Sequence, residues 1–430
     1  MGQATLTERF TAATIQSHMV THRALPLLGL TLLLSLLLFS CEADQPVVLE
    51  KEELFRIELG KMEDQIDIFE VGGVAQPKKN VVDMVDGSIF VANGNANKVM
   101  EFTSFGDLIS LIYDPEENPV PVVLQRRSES GERVSTRSAT EYSFNQLGEI
   151  AVTSDKRIMV EELISDERSL VDEELGVRLN RIVLRFDSNG ELIDYLGQEG
   201  IGGTPFPYID RLFVSEGDDL IVITRTMERW TVFGYSDRGE LLYRIDISLN
   251  RLPVPDGESV IPILENIVPD PSGERLFLKL DYYRERVDEQ TGASYGIQRD
   301  QSRVYWLDLA SGRYEDYVVI PSESGGIFRQ EGREEPTAGA LYELVGVARG
   351  GHLFLLRREN RAERRLLILT TEGQAVRRRT LEMEEAQQVF RSTRVSPQGI
   401  ITSLVGREDS AEVLWWRADR LIGNRNGDRE

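Results

Sequence analysis

Along most of the chain, apolar residues alternate with polar ones in short runs, and the runs come in pairs separated by turn residues. The sharpest pair is residues 86–108, DGSIFVANGNANKVMEFTSFGDL, in which Ile89 and Val91 lead through a Gly-containing turn to Val99 and Phe102. A period of two predicts strands. Six segments begin the same way, an inner strand, a turn and a second strand: VVDMVDGSIFVAN, FNQLGEIAVTS, RLFVSEGDDLIVIT, IVPDPSGERLFLKL, LVGVARGGHLFLL and RVSPQGIITSLV. Each reads as a hairpin with turn chemistry at its centre. A third strand follows each, at KVMEF, RIVLRF, RWTVFGY, RVYWLDL, RLLIL and EVLWW. Turns at Gly106, Gly190, Gly239, Gly312 and Gly373 then enter a fourth strand in the first five units: DLISLIY, ELIDYLG, ELLYRIDI, RYEDYVVI and QAVRRRTL. The sixth unit has no fourth strand before the chain ends. LFRIELG, residues 54–60, belongs to no unit and looks like ELIDYLG, so it is expected to complete the sixth.

The best unit resembles the NHL-type repeat of six-bladed β-propellers, whose pattern runs roughly DG-x-I-Y-V-A-D-x-x-N-x-R-I-x-x-F-x-x-x-G. The resemblance implies an all-β fold: a six-bladed β-propeller of four-stranded antiparallel blades, its ring closed by the N-terminal strand, which removes the exposed sheet edge. A sandwich of meanders and a seventh blade hidden in an insertion are the competing arrangements. The single propeller is expected over residues 53–424, with a short tail at 425–430.

The start of the chain has a different character. A polar lead and Arg23 precede an apolar run at residues 24–39, and Leu38, Phe39, Ser40 and Cys41 follow its course. That run contains Pro26 and is shorter than the roughly 20 residues a membrane span needs. The segment resembles the lipobox of bacterial lipoprotein signal peptides, with residues 1–40 as signal peptide, Cys41 as the lipidated residue and 41–52 as a polar tether. Met19 is an alternative start. Glu42 after the lipidated Cys leans toward the outer membrane by the sorting rule of such lipoproteins. The localisation expected is therefore the bacterial cell envelope, lipid-anchored.

Cys41 is the only cysteine, so the folded body has no internal disulfide and no thiol chemistry. With His18 and His22 in the leader, His352 is the one mature histidine, which excludes His-ligated metal clusters and Ser-His-Asp triads. Its place after Gly350 and Gly351 is that of a turn residue. The formal net charge of -23 disfavours nucleic acid as a partner.

Long insertions are expected at 114–141, 154–180, 281–301 and 321–340. All lie between strands two and three or between blades, so they emerge on one face while the opposite turns stay tight. Loops on one face of a rigid ring are where binding surfaces are built. On that face Asn93, Asn95 and Asn97 either offer amides to a ligand or serve as turn residues. Arg126 and Arg127, with Arg133 and Arg137, either pair with acidic loops or capture an acidic partner. The acidic stretch 161–174 matches no Ca²⁺-loop spacing and reads as a solvated loop; EGIGGTPF, 199–206, reads as a plain loop. Trp415 and Trp416 point to opposite faces of one strand, one packing between blades and one under the closing strand.

These features favour a membrane-anchored, non-enzymatic scaffold that binds an envelope protein or extracellular ligand through its long-loop face, with no cofactor. A propeller hydrolase or lactonase, carboxylate-based or Ca²⁺-assisted, is the alternative. It needs inward-facing polar residues converging on the channel, for which Asp83, Asn145, Asp210, Asp270 and Arg394 are candidates. A third role is envelope assembly.

Overall fold

The computed structural model describes residues 47–69, 78–122, 124, 137–288, 290–321, 327–330, 333–336, 341–385 and 387–423. Six small antiparallel sheets form a six-bladed propeller. Blade 1 comprises Asn80–Val85, Ser88–Asn93, Lys98–Phe102 and Leu108–Tyr113. Blade 2 comprises Leu147–Val152, Ile158–Leu163, Arg181–Phe186 and Leu192–Gly197, and blade 3 Tyr208–Val214, Leu220–Arg225, Arg229–Tyr235 and Leu241–Ser248. Blade 4 comprises Ile261–Pro269, Arg275–Val287, Ser294–Asp308 and Arg313–Val319, and blade 5 Tyr342–Ala348, His352–Arg358, Glu363–Thr370 and Ala375–Glu382. Blade 6 takes Phe390–Val395, Ile401–Gly406 and Ser410–Trp416 from the C-terminal end and Lys51–Glu58 from the N-terminal end.

The middle strands depart from a simple alternation. Ser88–Asn93, Lys98–Phe102 and Ile401–Gly406 are buried at every position. A blade packs on a neighbour through each face, so its inner strands have no solvent side. The core accordingly lies between blades. Ile57, Val91, Met100, Leu404 and Val413 form one cluster, joining blades 6 and 1. Trp416 joins Phe354, Ile368 and Leu381 in another, between blades 5 and 6.

Ring closure follows the expectation, with more chain recruited than expected. Lys51–Glu58 runs antiparallel to Ser410–Trp416, from Lys51 opposite Trp416 to Glu58 opposite Ser410. Just before it, Val48 and Leu49 pair in parallel with Thr380 and Leu381 on the outer edge of blade 5. The tether expected to reach Glu52 is thus already sheet from Val48, and one stretch staples two blades. The two tryptophans divide as expected: Trp416 is fully buried, and the Trp415 indole N–H donates to Glu52 of the closing strand at 2.8 Å.

Blade 2 corrects the sequence reading. FNQLGEIAVTS is one strand rather than a hairpin, and the second strand is Ile158–Leu163. The real turn carries its left-handed residue at Lys156, φ +65°, where no glycine marks it. Gly148, within that strand, is there for space: a Cβ would run into a Glu161 carboxylate oxygen. Glu161 and Glu162 are therefore buried strand residues and not part of a solvated loop. The rest of that insertion is a 3₁₀ turn at Asp166–Arg168 and a small hairpin, Leu170–Asp172 with Val177–Leu179. Within 199–206, Gly200–Ile201 folds back on Leu196 and Gly197 as a short fifth strand.

Candidate functional site at the channel mouth

The six inner strands line a central channel, and their polar residues divide it into two parts. Across its waist runs a chain of alternating charges. Arg394 of blade 6 donates to Glu149 of blade 2 at 2.8 Å, and Glu149 lies 3.5 Å from the Lys79 ammonium. Lys79 donates to Glu161 at 2.9 Å and to the Ile209 carbonyl at 2.8 Å, and Arg181 donates to Glu161 at 2.5 Å. The Glu149 backbone N–H also donates to Glu161, at 2.8 Å. Burial opposes ionisation of Glu161, yet Lys79 and Arg181 together hold its carboxyl below the ordinary range. Burial likewise disfavours the Lys79 ammonium, and Glu161 and Glu149 outweigh it, so its pKa is raised. Buried charges persist only when paired and hydrogen-bonded in this way.

Beyond the waist, toward the turns that join first to second strands, the channel opens into a cavity of about 540 Å³. Every blade contributes: Asp83 and Met84, Val152, Phe213 and Val214, Val268 and Asp270, Val347, and Arg394 with Val395. The rim is built from the tight turns. In blade 1, Asp86 (φ +47°) and Gly87 (φ +79°) make a two-residue connection between Val85 and Ser88, whose left-handed backbone suits Asp-Gly. In blade 3, Asp218 accepts from the Ser154 N–H at 2.7 Å and the Ser154 hydroxyl at 2.6 Å, locking the blade 2 and blade 3 turns together. Arg349 of blade 5 pairs with Glu216.

Asp83 sits at the inner end of this cavity. It accepts from the Val152 N–H and the Met84 N–H, both at 2.9 Å. Burial pushes its carboxyl up, and Arg394 with these two N–H groups pulls only part of the way back. Asp270 is raised for the same reason, burial, against the opposing pull of Ser272 and Arg275. Arg394 donates to Glu149 and to the Ile150 carbonyl at 3.3 Å, and its guanidinium lies 5.3 Å from the centre of the Phe213 ring.

The structure thus brings together Asp83, Asp270 and Arg394 and leaves the other candidates apart. Asp210 does not line the cavity and lies 3.2 Å from Arg225. Asn145 donates to the Leu163 carbonyl at 2.6 Å. The three asparagines of the blade 1 turn are spent internally. Asn93 clamps Asp67 by donating to its carbonyl at 2.6 Å and accepting from its N–H at 3.0 Å, and Asn95 donates to the Phe69 carbonyl at 3.2 Å. Asn97 stitches blade 1 to blade 2, accepting from the Leu147 N–H at 3.1 Å. Arg126, Arg127 and Cys41 lie outside the described residues; Arg137 is 3.8 Å from Asp107. His352 accepts its turn role, with Nδ1 2.7 Å from the Arg349 carbonyl.

The long-loop face has a shallower hollow of about 550 Å³, between the blade 2 insertion and Tyr208. Three cations surround that ring, Lys79 at 4.7 Å, Arg225 at 5.1 Å and Arg181 at 5.2 Å from its centre. Each is already held by a carboxylate, so the hollow carries little unpaired charge. Sequence reasoning missed Lys79, Glu149 and Arg181. The signal for Glu149 was a charged residue within the apolar run of LGEIAV; Lys79 and Arg181 stand at strand ends, where a cation attracts no notice. Among the described residues, no group of three or more His, Cys, Asp or Glu side chains is placed to hold a metal ion.

No protein-family model matches the chain, and no curated protein matches it. Among solved structures the chain is similar to one described as the structure of the Dos1 propeller, at 7% identity over 76% of this chain and 74% of that one, with a TM-score of 0.34. The six-bladed arrangement rests on the strand pairing above and not on this likeness.

Proposed function

We propose that the chain is an exported, lipid-anchored binding protein of a bacterial envelope whose propeller works as a rigid, non-catalytic scaffold and takes a small ligand at the channel mouth. The leader and Cys41 support the address. The cavity carries the binding reading: about 540 Å³ of concave, largely apolar space, walled by all six blades, with a few polar groups converging on it. Ligand sites on ring-shaped scaffolds are held in place by the blades rather than by loops, so little ordering entropy is lost on binding.

The test is retention of small molecules by the purified chain, read by mass spectrometry after denaturation, against a Val214→Trp variant. Val214 is partly exposed and lines the cavity while also packing on the core between blades 2 and 3, so the indole fills the space and the comparison is made only after circular dichroism and the unfolding midpoint show that the variant keeps the wild-type fold. The expected result is a retained compound that disappears from a normally folded variant. Equal retention by both chains would place the ligand elsewhere and overturn the reading.

A further inference from the structure

Arg394 uses only part of its guanidinium. Both of its hydrogen bonds leave from Nη2, to the Glu149 carboxylate and the Ile150 carbonyl of blade 2. Nη1 is buried and meets no acceptor among the described residues, and Nε makes no hydrogen bond there either. The residue is 9% exposed and lines the cavity. A charged donor kept from water without an acceptor is costly, and an acceptor that arrives with a ligand removes the cost.

Asp83 stands on the neighbouring strand with the opposite capacity. The inner strands of blades 6 and 1 are joined where the Val82 N–H donates to the Ser392 hydroxyl at 3.2 Å, and Asp83 and Arg394 both line the cavity. Arg394 is the countercharge of Asp83, the strongest pull against the effect of its burial, yet its ion pair is with Glu149 and no hydrogen bond joins it to Asp83. Each Asp83 carboxylate oxygen accepts one backbone N–H, from Met84 or Val152, and keeps a lone pair to accept again. The cavity thus offers a donor and an acceptor from adjacent strands, among walls otherwise formed by Phe213, Val214, Val268, Val347 and Val395.

Charge selects against an ionic head at that place. Asp86, Asp218 and Asp270 line the way in and repel an anion, while the Arg394 guanidinium repels a cation set against Asp83. We infer that the channel mouth takes an uncharged amphipathic molecule with an amide head, its carbonyl accepting from Arg394, its N–H donating to Asp83 and its hydrocarbon against Phe213 and the valines. This rests on the reading of the cavity as the binding site and adds the ligand's chemistry. An amide makes the two hydrogen bonds from separate atoms and brings no charge to desolvate, and its apolar body gains from the hydrocarbon walls.

The experiment is titration of the full chain at pH 7, followed by ligand-observed NMR, with three probes of one size: hexanamide, hexanoate and hexylamine. Hexanamide is expected to bind about tenfold tighter than either ion, since a site that discriminates does so through the groups it leaves unpaired. Infrared spectroscopy of isotope-labelled hexanamide reads the head group directly: on binding, its carbonyl stretch should fall below the value in a solvent without donors, as a charge-assisted hydrogen bond requires. Asp83→Asn should weaken hexanamide about fivefold by replacing a charged acceptor with a neutral one. Either ion matching hexanamide, a carbonyl stretch that stays as high as in that solvent, or unchanged affinity in a folded Asp83→Asn chain would overturn the amide assignment while leaving the cavity as a site. Failure of all three probes to bind would overturn it as well, and the retention test with Val214→Trp then judges the cavity by itself. The wild-type titration and the infrared shift decide the matter even if the variant does not fold.

Discussion

At the scale of single residues, most polar groups that look functional in the sequence are fasteners, and Lys98 shows how far this goes. It begins the third strand of blade 1, is fully buried, and donates to the Met62 carbonyl at 2.6 Å and more loosely to that of Lys61 at 3.4 Å. With Asn93 and Asn95 it straps residues 61–69, which follow the closing strand, to the blade 1 turn. Burial lowers its pKa to about 7, against the attraction of Asp64 and Asp67. Between about 7 and its ordinary value near 10.5 the unfolded chain keeps a proton that the folded chain has released. Stability therefore rises with pH across that window, by at most about 1.4 kcal/mol per unit. Urea unfolding at pH 7, 8 and 9 checks this: the wild-type slope should be positive, and Lys98→Met should remove it. Equal slopes in both chains would mean that Lys98 stays charged in the fold.

At the scale of elements, the repeat was legible wherever a turn announced itself. Asp86-Gly87 and the glycines at 106, 190, 239, 312 and 373 have positive φ, and each stands at the turn its place in the sequence indicated. Blade 2 was misread because its turn uses Lys156, and because its second strand, IMVEEL, carries Glu161, whose partners Lys79 and Arg181 are remote in sequence. The two-residue pairing of Val48 and Leu49 with blade 5 is too short to leave a periodic signal. Of the site, Asp83, Asp270 and Arg394 were legible as inner-strand polar residues, but their grouping depends on ring geometry that no local pattern encodes. The closing strand was legible by elimination, and its contribution can be measured. Ile57 faces Ala411 across the closure and is buried with Val91, Phe102 and Val413. Ile57→Ala should cost about 2–5 kcal/mol, as cavity-creating core substitutions do. Arg56→Ala, one residue away on a side chain that is 57% exposed, should change stability by less than about 0.5 kcal/mol. Chemical denaturation of the two variants distinguishes a closure that holds the ring from one that only decorates it; similar small losses would indicate the latter.

At the scale of the whole molecule, two populations of charge behave differently. The chain has a formal net charge of -23, and among the described residues acids such as Glu167, Glu240 and Glu285 stand exposed on the surface. The waist of the channel is a shared network in which Glu149 and Glu161 each serve two of the cations Lys79, Arg181 and Arg394, with Glu161 fully buried and Arg181 and Glu149 nearly so. Salt screens exposed charges within roughly a Debye length and leaves buried pairs almost untouched. Surface self-repulsion opposes compactness, so its screening should stabilise the propeller, while the pairs that join blade 2 to blades 6 and 1 across the channel keep their strength. The midpoint of thermal unfolding is therefore expected to rise by a few degrees as NaCl goes from about 10 to 200 mM, since about 1 kcal/mol shifts a large domain by roughly 2–4 °C. A midpoint that falls instead would give the leading electrostatic role to exposed pairs such as Arg284 with Asp300, at 2.9 Å on the projecting hairpin of blade 4.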